Sequence, residues 1–369
     1  MIRLSKSSLS DEEKKAVMSV LDLEFLGMGP EVKAFEDELE RYIGRPVRCV
    51  VNGTSAIHLA LQAVGVGVGD DVIVPSLTYV ATYQAISATG ANAISCDVDP
   101  VTLCLDPNDV AQKITNKTKA IIPVHYSGGV GHIKEIYKHA EKHNLRIIED
   151  AAHAFGTQVE NNRVGSHGDI TCFSFDGIKN ITSGEGGCVV TDDQDVLQKV
   201  SDARLLGVEK DSEKRYQGQR SWDFDVIEQG WRFHMSDVMA ALGRIQLKRF
   251  SKLSEIRQKL SKLYDEKLST TSLIRIEHNY DDVVPHIYVI RCSNENERDE
   301  LKEFLENNDV QTGIHYFPNH KLTRFKNNVD LPETEKAYNT MLTLPLHPDL
   351  TEENVEKISS LIHLSLGKK

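Results

Sequence analysis

The chain is short of cysteine, lacks a basic surplus, and has neither a signal-type leader nor a long apolar run. Each shortage closes a class of function. Six cysteines occur among 369 residues, at positions 49, 96, 104, 172, 188 and 292. None forms a Cys-x-x-Cys pair, and several lie in apolar runs, where a reduced thiol packs as a small hydrophobe. A disulfide framework is not expected, and a reducing cytoplasm is the simpler setting. Lysine and arginine number 43 against 55 acidic residues, a formal net charge of −12. A nucleic-acid binder needs the opposite balance to meet phosphates along a duplex. A small anionic substrate needs only a local basic cluster and is not excluded. The opening Met1-Ile2-Arg3-Leu4-Ser5-Lys6 carries no apolar stretch of signal-peptide type. No run approaches the roughly 20 residues that span a bilayer, so no membrane association is expected. Internal repeats and low-complexity segments are absent as well.

What is present is an alternation of apolar strand-like runs and helical patterns. Val47 to Val51 leads into Asn52-Gly53-Thr54-Ser55 and then a helical run from Ala56. Asp71 to Pro75 is the next strand, and Tyr79 to Ala88 the next helix. Further buried strands are expected at Ala93–Cys96, Ala120–Val124, Leu145–Ile148, Ile170–Phe175 and Cys188–Thr191, with an amphipathic helix over Ile133–His143. Such alternation predicts a mainly parallel sheet covered on both faces. From Ser236 to Ser269 apolar residues recur at helical intervals, as in a long connector. Beyond it, strands are expected at Ile287–Ile290 and Gln311–Tyr316, and helices at Arg298–Asn307 and Val355–Leu366. The length suits a large α/β domain over 1–250, with an N-terminal helical segment, and a smaller α+β domain over 251–369. The polar, aperiodic stretch 209–229 reads as a surface loop.

Two residues carry the chemistry. Asp150 ends an apolar strand in Glu149-Asp150-Ala151-Ala152-His153, and Lys179 follows another in Phe173-Ser174-Phe175-Asp176-Gly177-Ile178-Lys179, ahead of Gly184-Glu185-Gly186-Gly187. Both fall on the carboxyl rim of the expected sheet, where such folds bind ligands. Taken alone, a loop lysine is usually solvated and a strand-end aspartate usually caps a turn. Together and in this order they suit pyridoxal 5'-phosphate: a lysine amine for a Schiff base, and a carboxylate for the protonated ring nitrogen. Gly53, Thr54 and Ser55 open a helix after a strand. There, backbone N–H groups and hydroxyls suit a phosphate, or simply cap the helix. His139 and His143 lie four apart with Glu135 one turn earlier, but this stripe reads as a solvated face and no metal is expected. Gly65-Val66-Gly67-Val68-Gly69 precedes a strand, the wrong order for a dinucleotide fingerprint.

These segments, with Gly27-Met28-Gly29-Pro30-Glu31, Gly69-Asp70-Asp71-Val72, Asp97-Val98-Asp99-Pro100, Gly230-Trp231-Arg232-Phe233-His234-Met235, Gly313-Ile314-His315-Tyr316 and Leu344-Pro345-Leu346, run in one order along nearly the whole chain. In that order the chain resembles the DegT/DnrJ/EryC1/StrS family of sugar aminotransferases. The resemblance implies the type I fold of pyridoxal-phosphate enzymes: a mainly parallel, seven-stranded sheet flanked by helices, plus a small α+β domain. It implies an internal aldimine at Lys179 and a pyridoxamine phosphate form during turnover.

By the same resemblance, His153 contacts the cofactor near its phenolic oxygen, Tyr79 lies against the ring, and Ser174 joins Gly53, Thr54 and Ser55 at the phosphate. Arg232 stands where relatives carry an Asn or Lys that reaches the phosphate of the neighbouring subunit, which implies a homodimer. His234 departs from the family Arg or Asn. His315 and Tyr316 match a segment approaching the substrate. The implied reaction moves an amino group from L-glutamate to a keto group of a nucleotide-linked deoxysugar, with C-4 slightly favoured over C-3. Its product would serve a surface polysaccharide such as an O-antigen, or another glycosylated product. Arg215, Arg220, Lys321 and Arg324 are candidate partners for the substrate pyrophosphate. The alternatives are a dehydratase of the same fold, which carries His in place of the lysine, and a non-catalytic regulatory member.

Overall fold

The structure, a computed structural model, describes residues 1–220 and 222–367. In its first half, helices α1 (Asp11–Asp22), α2 (Pro30–Ile43), α3 (Gly53–Ala63), α4 (Val80–Ala88), α5 (Pro107–Lys113) and α6 (Ile133–His143) interleave with strands. These strands are β1 (Val47–Val50), β2 (Asp71–Pro75), β3 (Asn92–Cys96), β4 (Thr118–Ile121) and β5 (Arg146–Asp150). A short hairpin, β6 (Gln158–Val159) and β7 (Asn162–Arg163), precedes β8 (Ile170–Ser174) and β9 (Gly187–Val190). Helices α7 (Gln194–Ala203), α8 (Asp211–Tyr216) and α9 (Asp237–Lys267) lead to β10 (Ile274–Arg275) and β11 (Tyr288–Arg291). The chain closes with α10 (Glu295–Asn307), α11 (Pro332–Thr340), β12 (Met341–Leu344) and α12 (Glu352–Leu366).

Seven strands form one sheet in the order β1-β9-β8-β5-β4-β2-β3, in which only β9 runs antiparallel to its neighbours. The predicted sheet is thus present. Its strands are apolar on both sides because helices cover both faces. Along β2, Val72 and Val74 pack with Leu59, Leu61, Tyr83 and Ile86, while Ile73 packs the other way with Ile121, Ile136 and Ile147. Near β1, β8 and β9, that second face is completed by Phe35, Leu39, Phe173, Cys188 and Val190.

A second, antiparallel sheet of order β10-β11-β12 has its own core, in which Leu260 and Tyr264 of α9 meet Ile290, Leu305, Leu342, Leu344, Ile358 and Ile362. Helix α9 packs on α1 and α2 at one end and on α12 at the other. Ile2 bridges to Val310, so the first residues join this second sheet's surroundings. No described helix is long and apolar enough to cross a membrane.

Two local expectations need correction. Gln311–Tyr316 is not a strand. It lies along the outer edge of β12 and makes a single bridge there, Gly313 to Thr343, before turning away toward the cavity. The third strand is Met341–Leu344 instead. The stretch 209–229 is not wholly a loop, because it contains α8, anchored where Arg204 bonds Ser212 and Tyr216. Ser221 within it lies outside the described residues.

Candidate active site

A cavity of about 500 Å³ opens at the carboxyl rim of the sheet, beyond the ends of β5 and β8 and at the starts of α3 and α4. Asp150, the last residue of β5, is buried in its wall. Its Oδ2 accepts from Thr82 Oγ1 at 2.8 Å, and its Oδ1 from the Ala152 N–H at 3.2 Å. Strand alternation sends the neighbouring Glu149 to the other face. There it meets His125 Nε2 and the Tyr137 hydroxyl, each at 2.6 Å, which is a structural role.

Lys179 sits in the turn after β8, partly buried, with its Nζ 3.5 Å from His286 Nε2. Burial disfavours its charged form and pushes the amine down to about 8, against the pull of Asp150 and Asp176. His153 is buried, its Nε2 3.0 Å from the Tyr316 hydroxyl and its ring centroid 4.4 Å from that of His286. Burial, helped by the Lys179 charge, holds His153 well below its usual range, so its ring is neutral. His315 is pushed down to about 4 for the same reasons. Its Nδ1 lies 2.9 Å from Thr343 Oγ1, and its carbonyl accepts from the Tyr126 hydroxyl. Tyr79 stands immediately before α4, 59% exposed, with its ring 5.6 Å from that of Tyr316.

The opposite wall is the start of α3. Asn52 is the cap, its Oδ1 accepting the Ser55 N–H at 2.8 Å. Gly53 and Thr54 line the cavity beside Ser174. A side chain at Gly53 would put its Cβ 2.8 Å from that of Ser174, so only glycine lets the helix start close on β8. This wall has N–H groups at a helix start and two hydroxyls, which suits a phosphate ester. Facing it are an amine of lowered basicity, a buried carboxylate and an aromatic ring. The set fits pyridoxal phosphate.

The structure therefore brings together Lys179, Asp150, Gly53, Thr54, Tyr79, His153, Ser174, His315 and Tyr316 around one cavity. Ser55 is buried next to it and does not line it. Arg232 is exposed and outside the cavity of its own chain. The four candidate pyrophosphate partners also lie outside: Arg215 pairs with Asp211, Lys321 with Glu335, Arg324 bonds Ser87, and Arg220 is exposed. Residues that sequence reasoning did not single out are Asn52, Thr82, Asp176 and Glu185, all lining the cavity, and His286 behind Lys179. Asn52, Asp176 and Glu185 stood inside the quoted motifs, whereas Thr82 and His286 had no local signal. Among the described residues no three His, Cys, Asp or Glu side chains converge as metal ligands.

The chain is 32% identical over 364 residues to an uncharacterised protein of Methanocaldococcus jannaschii, covering 94% of this chain and 93% of that one. A Streptococcus pneumoniae protein assigned as a sugar aminotransferase, solved in pyridoxamine phosphate and pyridoxal phosphate forms, superposes with a TM-score of 0.93 in each. For the pyridoxamine form, identity is 29% over 100% of this chain and 98% of that one. A sugar aminotransferase of Micromonospora echinospora superposes with a TM-score of 0.90 at 28% identity, over 98% and 99% of the two chains. The model of the DegT/DnrJ/EryC1/StrS aminotransferase family matches residues 7–363. With a match of that extent, the chain belongs to this family, a group of pyridoxal-phosphate-dependent sugar aminotransferases.

Proposed function

We propose that the enzyme transfers the amino group of L-glutamate to a keto group of a nucleotide-linked deoxysugar, with C-4 favoured over C-3. The observation that carries the reading is the convergence of Lys179, Asp150 and the α3 start on one cavity. Pyridoxal phosphate, when bound, supplies an aldehyde that takes up an amino group and a ring that accepts the electron pair left on the substrate carbon.

The side chains do the rest. Gly53, Thr54 and Ser174 would hold the phosphate, with Ser55 supporting the helix start. Asp150, held by Thr82, would keep a proton on the ring nitrogen. Tyr79 and His153, which line the cavity, would lie against the cofactor ring and near its phenolic oxygen. Lys179 would move a proton to and from the substrate carbon, a task suited to an amine whose basicity is lowered to about 8. His315 and Tyr316 roof the site and limit water.

The cavity wall of one chain offers a single cation, Lys179, among its lining residues. That favours a homodimer in which Arg232 of a second copy reaches the phosphate by a forked, charge-assisted contact. Exposed apolar side chains at Trp222, Phe224, Val226 and Ile227, just before Arg232, support such a contact surface. Arg220 lies on the same stretch and is a candidate for the substrate pyrophosphate. Lys179 argues against the dehydratase alternative, which needs a histidine there.

The test is the near-visible absorbance of the purified protein before and after adding glutamate. A yellow band that gives way to the pyridoxamine band establishes donor and lysine chemistry together, and keto-sugar nucleotides are then screened as acceptors. A band that glutamate leaves untouched removes glutamate as donor. No band even with added cofactor removes the Lys179 assignment.

A further inference from the structure

His286 and Arg257 surround Lys179 from behind, and the reaction scheme above uses neither. His286 lies just before β11, 107 positions from Lys179, yet its Nε2 is 3.5 Å from the Lys179 amine and its ring rests on His153. It is buried, and its Nδ1 has no hydrogen-bond partner among the described residues. A histidine normally has its tautomer set by whatever its second nitrogen binds. With nothing on Nδ1, neither tautomer is locked. Nε2 can therefore accept from a charged lysine and, with the proton shifted, donate to a neutral one.

Arg257 of α9 is buried and forms no salt bridge among the described residues. Its guanidinium donates to three main-chain carbonyls: His286 at 3.0 Å, Leu346 at 3.2 Å and Ile178 at 3.5 Å. Burying a cation without a counter-charge is unfavourable. The three acceptors belong to the peptide before Lys179, to His286 itself and to the segment after β12. The guanidinium thus ties the lysine turn and the imidazole to one point.

We propose that His286 is a positioning residue for Lys179, presenting its imidazole to the amine in either protonation state while Arg257 holds it there. This rests on the reading of Lys179 as the cofactor-binding lysine. The groups facing the amine are Asp150, Asp176, Arg257, His153, His286 and His315. Burial and the neighbouring Lys179, His153, Arg257 and His315 hold His286 well below its usual range, so it stays a neutral partner.

The experiment separates holding the cofactor from presenting the amine. Cofactor-free wild type, His286→Leu, His286→Gln and Arg257→Lys are mixed with pyridoxal phosphate, and formation of the borohydride-reducible link is followed by absorbance. In that step the amine nitrogen adds to the aldehyde carbon and the aldehyde oxygen leaves as water. Binding of pyridoxamine phosphate, which has no aldehyde to bond, is measured alongside. The expected result is capture slowed about tenfold in His286→Leu, with pyridoxamine phosphate affinity within about twofold of wild type. His286→Gln recovers most of the rate because its amide can still bond the amine. Arg257→Lys, which keeps the charge and loses the fork, slows capture in the same direction. Capture at the wild-type rate in His286→Leu overturns the proposal. So does a parallel loss of both measurements in the His286 variants, which marks a merely structural residue. Should His286→Leu not fold, His286→Gln against Arg257→Lys decides: equal loss of capture and affinity in both overturns it. A wild-type protein that forms no link, or a Lys179→Ala variant that forms one, overturns the Lys179 assignment and this proposal with it.

Discussion

At the scale of single residues, Lys179 sets the pH behaviour of the site. Its amine titrates near 8 in the folded chain, below the 10.5 of an unconstrained lysine, mainly because it is buried. Between those values the unfolded chain binds more protons than the folded one. This group therefore costs stability at neutral pH, and the cost is relieved as pH rises from about 8 toward 10.5. In cofactor-free protein, acylation of Lys179 is expected to rise with pH through about 8. Mass spectrometry of the modified lysine across a pH series measures this, and a midpoint near 10.5 contradicts it. Thr82 gives a second expectation. Thr82→Val removes the hydroxyl that bonds Asp150 while keeping the shape, so cofactor retention on dilution falls by about fivefold to tenfold with the fold intact. Equilibrium dialysis of pyridoxamine phosphate reads it, and unaltered retention shows that Asp150 needs no such support. Lys179 and Asp150 were legible because each sits at the end of an apolar strand, a pattern written in neighbouring residues. Thr82, Arg257 and His286 were not: their partners lie 68, 79 and 107 positions away, and nothing beside them in the chain marks the contact.

At the scale of elements, the buried strands read well because helices on both faces require unbroken apolar runs. The second sheet read less well. Met341–Leu344 runs straight into Pro345 and Leu346, which drew notice as a motif, while Gln311–Tyr316 has strand-like composition but bridges the edge of β12 at Gly313 alone. The joint between α2, β1, α7 and α8 was invisible in sequence. Glu36 on α2 accepts from Arg204, from the Cys49 N–H and from the Tyr216 hydroxyl, and the ion pair is fully buried. Glu36→Ala leaves an uncompensated buried guanidinium. A destabilisation of about 3–5 kcal/mol is expected in urea unfolding of the holoenzyme, well above a typical surface change. A loss below about 1 kcal/mol would mean that water or a rearranged side chain satisfies Arg204.

At the scale of the whole molecule, one core surrounds the seven-stranded sheet and another lies on one face of β10-β11-β12, with α9 running between them and a further buried cluster, Leu77, Val98 and Tyr126 with Ile287, Val289 and Met341, joining the two. We propose the division at 1–250 and 251–369 on that basis, with the first residues crossing over to pair near Val310. The cavity draws on both parts, since His315 and Tyr316 roof residues held by the large sheet. The proposed dimer has its own test. Lys179→Ala and Arg232→Ala are each expected to be inactive. Unfolded together and refolded as a mixture, they pair at random, and a mixed dimer has one intact site. About one quarter of wild-type activity is then expected, read as glutamate-dependent loss of the yellow band. No recovery means that Arg232 does not act across an interface.

The sequence by itself determined the alternating strand and helix order, the parallel sheet, the family, and the lysine–aspartate pair on its rim. Those properties depend on residue type, spacing and neighbours, which a linear chain records. Tertiary structure alone decided which side chains support that pair: Thr82 under Asp150, and His286 and Arg257 behind Lys179. It also moved Arg215, Lys321 and Arg324 out of the cavity of their own chain, tying each to a neighbour elsewhere. Contacts between residues far apart in the chain are set by how helices and sheets close on one another, and that closure leaves no mark on any short stretch of sequence.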